Sequence, residues 1–272
     1  MTEPLPDPVP AMAVDRRFDH VMGMPISLAL RGLHAHDHFA EHAWQQALES
    51  LREADRIFST YRADSAISRL ASGELLLQDC PPVVAEVLEL GDRARAESGG
   101  AFDVRRRDPG GQVVLDPSGV VKGWAVQRAA ASLSRLKRTD FCLSAGGDML
   151  CRTAAPGSPG WRIGIEDPFD PTKVVAVVPV RDGAIATSGL AARGAHITDP
   201  RTDRTPDYFA SVTVVAADLT WADIDATAAF VLGPDAPAWL ASRPGRSGVL
   251  VRTDGTAEAF APHAAGQGAR QR

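Results

Sequence analysis

The stretch that most constrains the fold is Ser211 to Gly233, where a β-branched run, SVTVVAA, is followed at once by LTWADIDATAAFVLG. The first part reads as an interior strand and the second as a helix that starts at the edge of a core. Asp223 and Thr227 stand four residues apart in that helix, so their side chains share one face. Two hard oxygen ligands placed this way can hold an ion. The same letters also permit a capping region, with Asp218, Thr220, Asp223 and Asp225 forming an acidic first turn favoured by the helix dipole. Local sequence leaves both readings open.

Leu115 to Arg128, LDPSGVVKGWAVQR, is the second informative stretch. A strand end, Gly119 and Lys122-Gly123 lead into a helix whose apolar face is Ala125, Val126, Ala129, Ala130, Leu133 and Leu136. Free amides and a lysine near a helix N-terminus are the parts of a phosphate site. The spacing is not that of a P-loop, and a plain strand-to-helix turn accounts for the same letters.

The remaining chain alternates less ambiguous elements. Val21 to Leu30 reads as a first strand interrupted at Gly23-Met24-Pro25, as at a bulge or a close ligand approach. His34, His36, His38 and His42 raise a metal question, but no cysteine or third helical ligand completes a set. A solvated helix start with Asp37 as cap accounts for them. Phe39, Ala43, Ala47, Leu51, Ala54 and Phe58 form the stripe of an amphipathic helix. Tyr61 then lies in a turn where its ring can stack on a flat ligand or rest on the domain edge, and Ser65 caps a short helix. Pro81-Pro82 open another helix, through about Ala96. After it, GGAFDV brings two glycines ahead of Ala101, Phe102 and Asp103, either for close backbone approach or for a turn into a strand.

From Phe141 onward the chain is mostly strand: 141–145, 161–165, 174–181, 184–187, 210–217 and 248–252, with one short helix near 237–241. Gly146-Gly147 reads as a bulge or a pocket floor, and Thr187-Ser188 as a hydroxyl-bearing turn suited to polar ligand groups. His196 stands beside an Asp-Pro turn and Arg201. A helix-rich first half and a strand-rich second half imply an α+β fold. The expected boundaries are one domain over 16–261, flanked by disordered ends at 1–15 and 262–272.

A net charge of −5, a pI near 5.8 and a single short basic run, Arg105-Arg106-Arg107, argue against nucleic acid or an anionic membrane as partner. Cys80, Cys142 and Cys151 form no CxxC and cannot all pair internally, which favours reduced thiols and a cytoplasmic setting. The first residues lack the basic start and apolar run of a secretory leader. No stretch approaches the ~20 apolar residues of a membrane span.

Taken in order, FSTYRADSAISRL, GGAFDV, LDPSGVVKGWAV, LSAGGDM, WRIGIEDP, AIATSG, HITDPRT and ADIDATAAFVLG resemble the signature blocks of the ApbE family, the FAD:protein FMN transferases. The resemblance covers about Met22 to Leu232. It implies a single α+β domain of the ApbE type, related to the T-fold, with FAD in a cleft and Mg²⁺ on the pyrophosphate. It also implies transfer of FMN from FAD to a threonine or serine of a target flavoprotein, with release of AMP.

By position, the resemblance assigns the metal to Asp223, Thr227 and the backbone carbonyl of Val121. It sets Tyr61 against the flavin ring, and Met22, Ala101, Phe102, Asp103, Lys122 and Gly147 along the FAD pocket. Thr187 and Ser188 fall beside the pyrophosphate, and His196 matches the histidine usually given a catalytic role. This chain departs from the family pattern at Leu190-Ala191-Ala192, where an acidic and an aromatic residue are common. It also departs at Asp203 for Gly, at Gln127 for Asp and at Val121 for Ala. Two alternatives use the same site: an FAD pyrophosphatase giving FMN and AMP, and a non-catalytic FAD-binding protein.

Overall fold

The computed structural model describes residues 13–107, 110–154, 157–189 and 197–261. Its first element is a hairpin of β1 (Asp15–Val21) and β2 (Met24–Gly32), with Val21 opposite Met24. Met22 and Gly23 have φ of 56° and 69°, two left-handed residues forming a tight turn whose twist suits the flanking strands. The interruption expected inside one strand from Val21 to Leu30 is this turn, and a further strand precedes it.

α1 (His38–Phe58) buries Ala43, Ala47, Leu51, Ala54 and Phe58 of the expected stripe, whereas Phe39 stays exposed in its first turn. Asp37 caps it, accepting from the amides of Phe39 and Ala40 at 2.9 and 3.2 Å. His34 Nδ1 lies 2.8 Å from the same carboxylate, so part of the histidine-rich segment serves the cap. Ser65 caps α2 (Ala66–Ala71) through the amide of Ser68. α3 (Pro82–Glu97) follows, then a two-stranded ribbon of β3 (Arg105–Arg107) and β4 (Val113–Leu115).

α4 spans Ser118–Leu133 and starts a turn earlier than its sequence implies, because Asp116 accepts from the amide of Ser118 at 3.1 Å. β5 (Thr139–Ala145) and β6 (Asp148–Arg152) are joined by Gly146-Gly147 with φ of 57° and 96°. That pair is a two-residue hairpin turn, not a bulge. β7 (Trp161–Asp167) and β8 (Asp170–Val180) form a separate hairpin. β9 (Gly183–Gly189), β10 (Phe209–Ala216), α5 (Leu219–Leu232), α6 (Ala236–Ala241), β11 (Ser247–Arg252) and β12 (Ala257–Phe260) complete the chain.

Eight strands make one antiparallel sheet in the order β1-β2-β5-β6-β9-β10-β11-β12. Alternation along the strands divides its faces. Ile26, Leu28, Leu30, Phe141, Leu143, Leu150, Ala184, Ala186, Val212 and Val214 turn toward the helices. Ala29, Cys142, Cys151 and Ile185 turn the other way, beneath Ile163 and Val180 of the β7–β8 hairpin. α5 lies inside the helical layer and is buried almost all round. Its alanines, Ala222, Ala226, Ala228 and Ala229, let it sit close to both the sheet and α4.

Candidate active site

The register brings several turns to one end of the sheet. Ile26 pairs with Ala145, Ala145 with Asp148, Met149 with Ile185, and Gly189 with Ser211. Met22-Gly23, Gly146-Gly147 and the end of β9 therefore share that edge, and the amide of Gly146 donates to Pro25 O at 3.1 Å. Over this end α4 crosses α5 at Gly123. A β-carbon there would lie 2.7 Å from Leu219 O and 3.0 Å from Asp223 Cβ, so only glycine permits the approach.

Asp223 is buried at this crossing, 3% exposed. Its Oδ2 accepts from the amide of Gly123 at 3.1 Å, and its Oδ1 lies 3.2 Å from Lys122 Nζ. It takes no part in capping: Asp218 is the cap, accepting from the amide of Trp221 at 3.0 Å. Asp225, two residues on, is also buried, but Arg243 and Arg246 pair with its two oxygens at 2.7 Å each. Asp225 thus has two cations to itself and Glu97, whereas Asp223 shares one, Lys122, with another carboxylate. Thr227, one turn along, has its hydroxyl 2.9 Å from that of Ser188.

That other carboxylate is Asp148, which the sequence reading passed over in favour of Gly147. It is 1% exposed. Its Oδ2 lies 2.6 Å from Lys122 Nζ, and its Oδ1 accepts from the amide of Thr187 at 3.1 Å. A charged residue opening an otherwise apolar strand directly after a glycine turn was the available signal. Lys122 itself stands inside α4 between two carboxylates, not among free amides at a helix start. Burial lowers its tendency to stay charged, but the two acids outweigh this and hold its pKa above the usual lysine value. Burial, reinforced by the charge of Asp148 and opposed by Lys122, pushes Asp223 up to about 7.

The remaining candidates fall around this centre. Val121 is buried in the first turn of α4; its carbonyl carries a second lone pair beyond the one a helix uses. Phe102 packs its ring on Gly119 in the same turn, where a β-carbon would be 3.1 Å away, and Ala101 is buried beside it. Asp103 pairs with Arg95 at 2.9 Å and helps line a charged cavity of about 480 Å³ that also meets Pro200. Thr187 and Ser188 point to opposite faces of the sheet: Ser188 reaches Thr227 on the helical side, while the Thr187 hydroxyl bonds Thr213 on the other at 2.9 Å. Only the Thr187 amide joins the acidic centre. Tyr61 is fully exposed between α1 and α2. His196 and Leu190-Ala191-Ala192 lie outside the described residues.

Two departures from the family pattern have structural partners. Asp203 has φ of 57°, a left-handed position that glycine favours and Asp tolerates. Gln127 Oε1 accepts from the amide of Leu219 at 2.9 Å and ties α4 to the start of α5.

Among the described residues no group of three His, Cys, Asp or Glu is placed as a metal set. A metal bound here would meet mixed donors instead, the Asp223 carboxylate, the Thr227 hydroxyl and the Val121 carbonyl, all hard oxygens of the kind Mg²⁺ takes while keeping water and substrate oxygens. The two buried acids against one lysine leave a surplus negative charge for a cation to neutralise.

Fold and site thus define a helix-covered antiparallel sheet with a carboxylate–hydroxyl pair under one end. The chain belongs to the ApbE family, whose model matches residues 22–107 and 104–251. It is 36% identical over 160 residues to an FAD:protein FMN transferase of Rhodobacter capsulatus, covering 56% of this chain and 30% of that one. A second, from Haemophilus influenzae, is 31% identical over 135 residues, covering 46% and 39%. The chain therefore aligns with less than half the length of these curated relatives. Two crystal structures share the fold: the ApbE protein of Thermotoga maritima, with a TM-score of 0.78, 21% identity and 91% and 97% of the two chains covered, and the apo flavinyl transferase ApbE of Pseudomonas stutzeri, with 0.76, 22%, 92% and 96%. No helix among the described residues is long and apolar enough to cross a membrane.

Proposed function

We propose that this chain is a Mg²⁺-dependent FAD:protein FMN transferase. The observation that carries the reading is Asp223, a buried carboxylate one helical turn from Thr227 and facing the turn of α4 that holds Val121 and Lys122. Asp223, Thr227 and the Val121 carbonyl would hold the ion. When bound, it supplies neutralisation of the charge that builds on pyrophosphate oxygens.

The reaction forms a bond between a target threonine or serine Oγ and the FMN phosphorus. The bridging P–O bond of FAD breaks, and AMP leaves with that oxygen. The hydroxyl proton needs an acceptor, and His196, assigned by resemblance, is proposed as that base. Ser188 holds the Thr227 hydroxyl at 2.9 Å. Tyr61, fully exposed, would lie on the isoalloxazine ring, with Met22, Ala101, Phe102, Asp103 and Gly147 proposed to border the pocket. Chemistry of this kind depends mostly on positioning and charge, which suits a centre built from fixed donors.

The test is incubation of the purified chain with FAD, Mg²⁺ and a peptide bearing a candidate acceptor threonine, followed by mass analysis of the peptide. An FMN adduct with released AMP supports the transferase; free FMN and AMP without adduct assign a pyrophosphatase; bound, unchanged FAD assigns a binding protein. His196→Ala should lower transfer about 10²-fold or more at saturating FAD, and an unchanged rate removes its role. The three free cysteines, with the Cys151 thiol donating to Cys142 Sγ at 3.4 Å, fit a reducing compartment. A cytoplasmic flavoprotein is therefore the proposed target, to be checked by cell fractionation.

A further inference from the structure

Lys122 and a divalent cation would compete for one carboxylate. The Lys122 ammonium stands 3.2 Å from Asp223 Oδ1, and the other oxygen of Asp223 already accepts from the Gly123 amide. An ammonium seated on Asp223 both occupies a ligand lone pair and repels a second cation arriving there. The structure shows what draws it aside: Asp148 Oδ2, at 2.6 Å, is the nearer partner. Asp148 cannot swing away, because its other oxygen is held by the Thr187 amide and its backbone by the Gly146-Gly147 turn. Asp225 shows the contrasting arrangement on the same helix, where two arginines sit directly on one carboxylate.

We propose that Asp148 is a positioning residue that takes the Lys122 charge and thereby leaves Asp223 able to accept a divalent cation. This rests on the metal reading of Asp223 and extends it to a residue outside the ligand set. Asp148 touches neither the ion nor the substrate; it acts through Lys122. Replacing it by Asn keeps the shape and an acceptor for the Thr187 amide but removes the charge, so the ammonium transfers wholly to Asp223.

The experiment measures Mn²⁺ binding in the absence of FAD, so that Lys122 enters only through Asp223, by the electron paramagnetic resonance signal of free Mn²⁺, with circular dichroism as the check on folding. Asp148→Asn should weaken Mn²⁺ binding about tenfold or more. The Lys122→Met/Asp148→Asn double variant, which removes the competitor and leaves Asp223 as the one charge of the three, should return to within about threefold of the unmodified chain. A mere loss of packing would not be reversed by removing the lysine as well. Asp148→Asn within twofold of the unmodified chain overturns the proposal, as does a double variant as weak as the single one. If Asp148→Asn does not fold, the double variant decides alone: binding tenfold weaker than the unmodified chain overturns the inference. Asp223→Asn separates the two levels. If it leaves Mn²⁺ binding intact, or if the unmodified chain binds none, the metal reading itself fails; if it abolishes binding while Asp148→Asn does nothing, only the role of Asp148 fails.

Discussion

Replacing Gly123 by alanine inserts one methyl group where α4 crosses α5. The new carbon would sit 2.7 Å from Leu219 O and 3.0 Å from both Thr220 Cα and Asp223 Cβ, and two of those three atoms are backbone that cannot rotate away. Restoring ordinary contact requires the helices to part by roughly 0.7 Å, a small overpacking of a kind that costs about 1–3 kcal/mol. The same movement lengthens the 3.1 Å bond from the Gly123 amide to Asp223 Oδ2 past hydrogen-bonding range, and a bond to a charged acceptor contributes about 1.5–3 kcal/mol. Against this, alanine is better than glycine in a helix interior by about 1 kcal/mol. The net expectation is a destabilisation of about 3 kcal/mol, read as a lower urea midpoint with an unchanged slope. Mn²⁺ binding should weaken in the same variant, because Asp223 loses the amide that fixes its orientation. A Gly123→Ala protein about 1 kcal/mol more stable than the unmodified chain, with metal binding intact, would show helix propensity acting alone and refute the close-crossing argument.

Two further substitutions separate binding from folding. Tyr61→Ala should weaken FAD binding with no change in thermal midpoint, because the ring is fully exposed; fluorescence titration of FAD checks it. Asp225→Asn breaks ion pairs to Arg243 and Arg246 and should cost about 3–5 kcal/mol, as removal of one partner from a buried pair does; Mn²⁺ affinity of the folded protein should not change.

What the sequence made legible was whatever repeats locally. The stripe of α1, the apolar run of β5 and the β-branched runs of β10 and β11 announce themselves by pattern. β1 did not, because DRRFDHV is an edge strand whose half-buried positions are the charged Asp15, Arg17 and Asp19, the last two paired with α1, and whose apolar Phe18 is exposed. The start of α4 was misplaced because Gly119 and Gly123 read as breakers; in the fold they are contact points, for the ring of Phe102 and for α5. At the site, spacing put Asp223 and Thr227 on one helix face but left capping and ion binding both open, and the resemblance alone chose between them. Asp148 was not readable, since its role is set by Lys122 and Thr187 on other elements. The opposite facing of Thr187 and Ser188 was implicit in strand alternation, but only once β9 was known to run through both residues.

Asp223, being buried, sets an electrostatic cost against the stability that the rest of this helix supplies. With Asp148 and Lys122 it forms a buried group of two acids and one base, and Lys122 already has its nearer partner in Asp148. Asp223→Asn would leave that pair balanced and keep an oxygen for the Gly123 amide, so it removes surplus charge without opening a cavity. The pKa of Asp223 is raised in the folded chain to about 7 from an ordinary 3.8, so the folded state holds its proton over a range where the unfolded state has released it. Stability from this group is therefore full below about pH 4 and is lost as pH rises to about 7. The expected penalty above that pH is on the order of a few kcal/mol. In EDTA at pH 8, Asp223→Asn should melt above the unmodified chain; the gap should shrink as pH is lowered toward 4, where both carry a neutral side chain. Mg²⁺ with FAD should raise the midpoint of the unmodified chain and leave the variant unmoved, since a ligand stabilises only the state that binds it. If Asp223→Asn instead melts lower in EDTA at pH 8, the carboxylate is holding the helices together and the argument that its charge is kept for a cation fails.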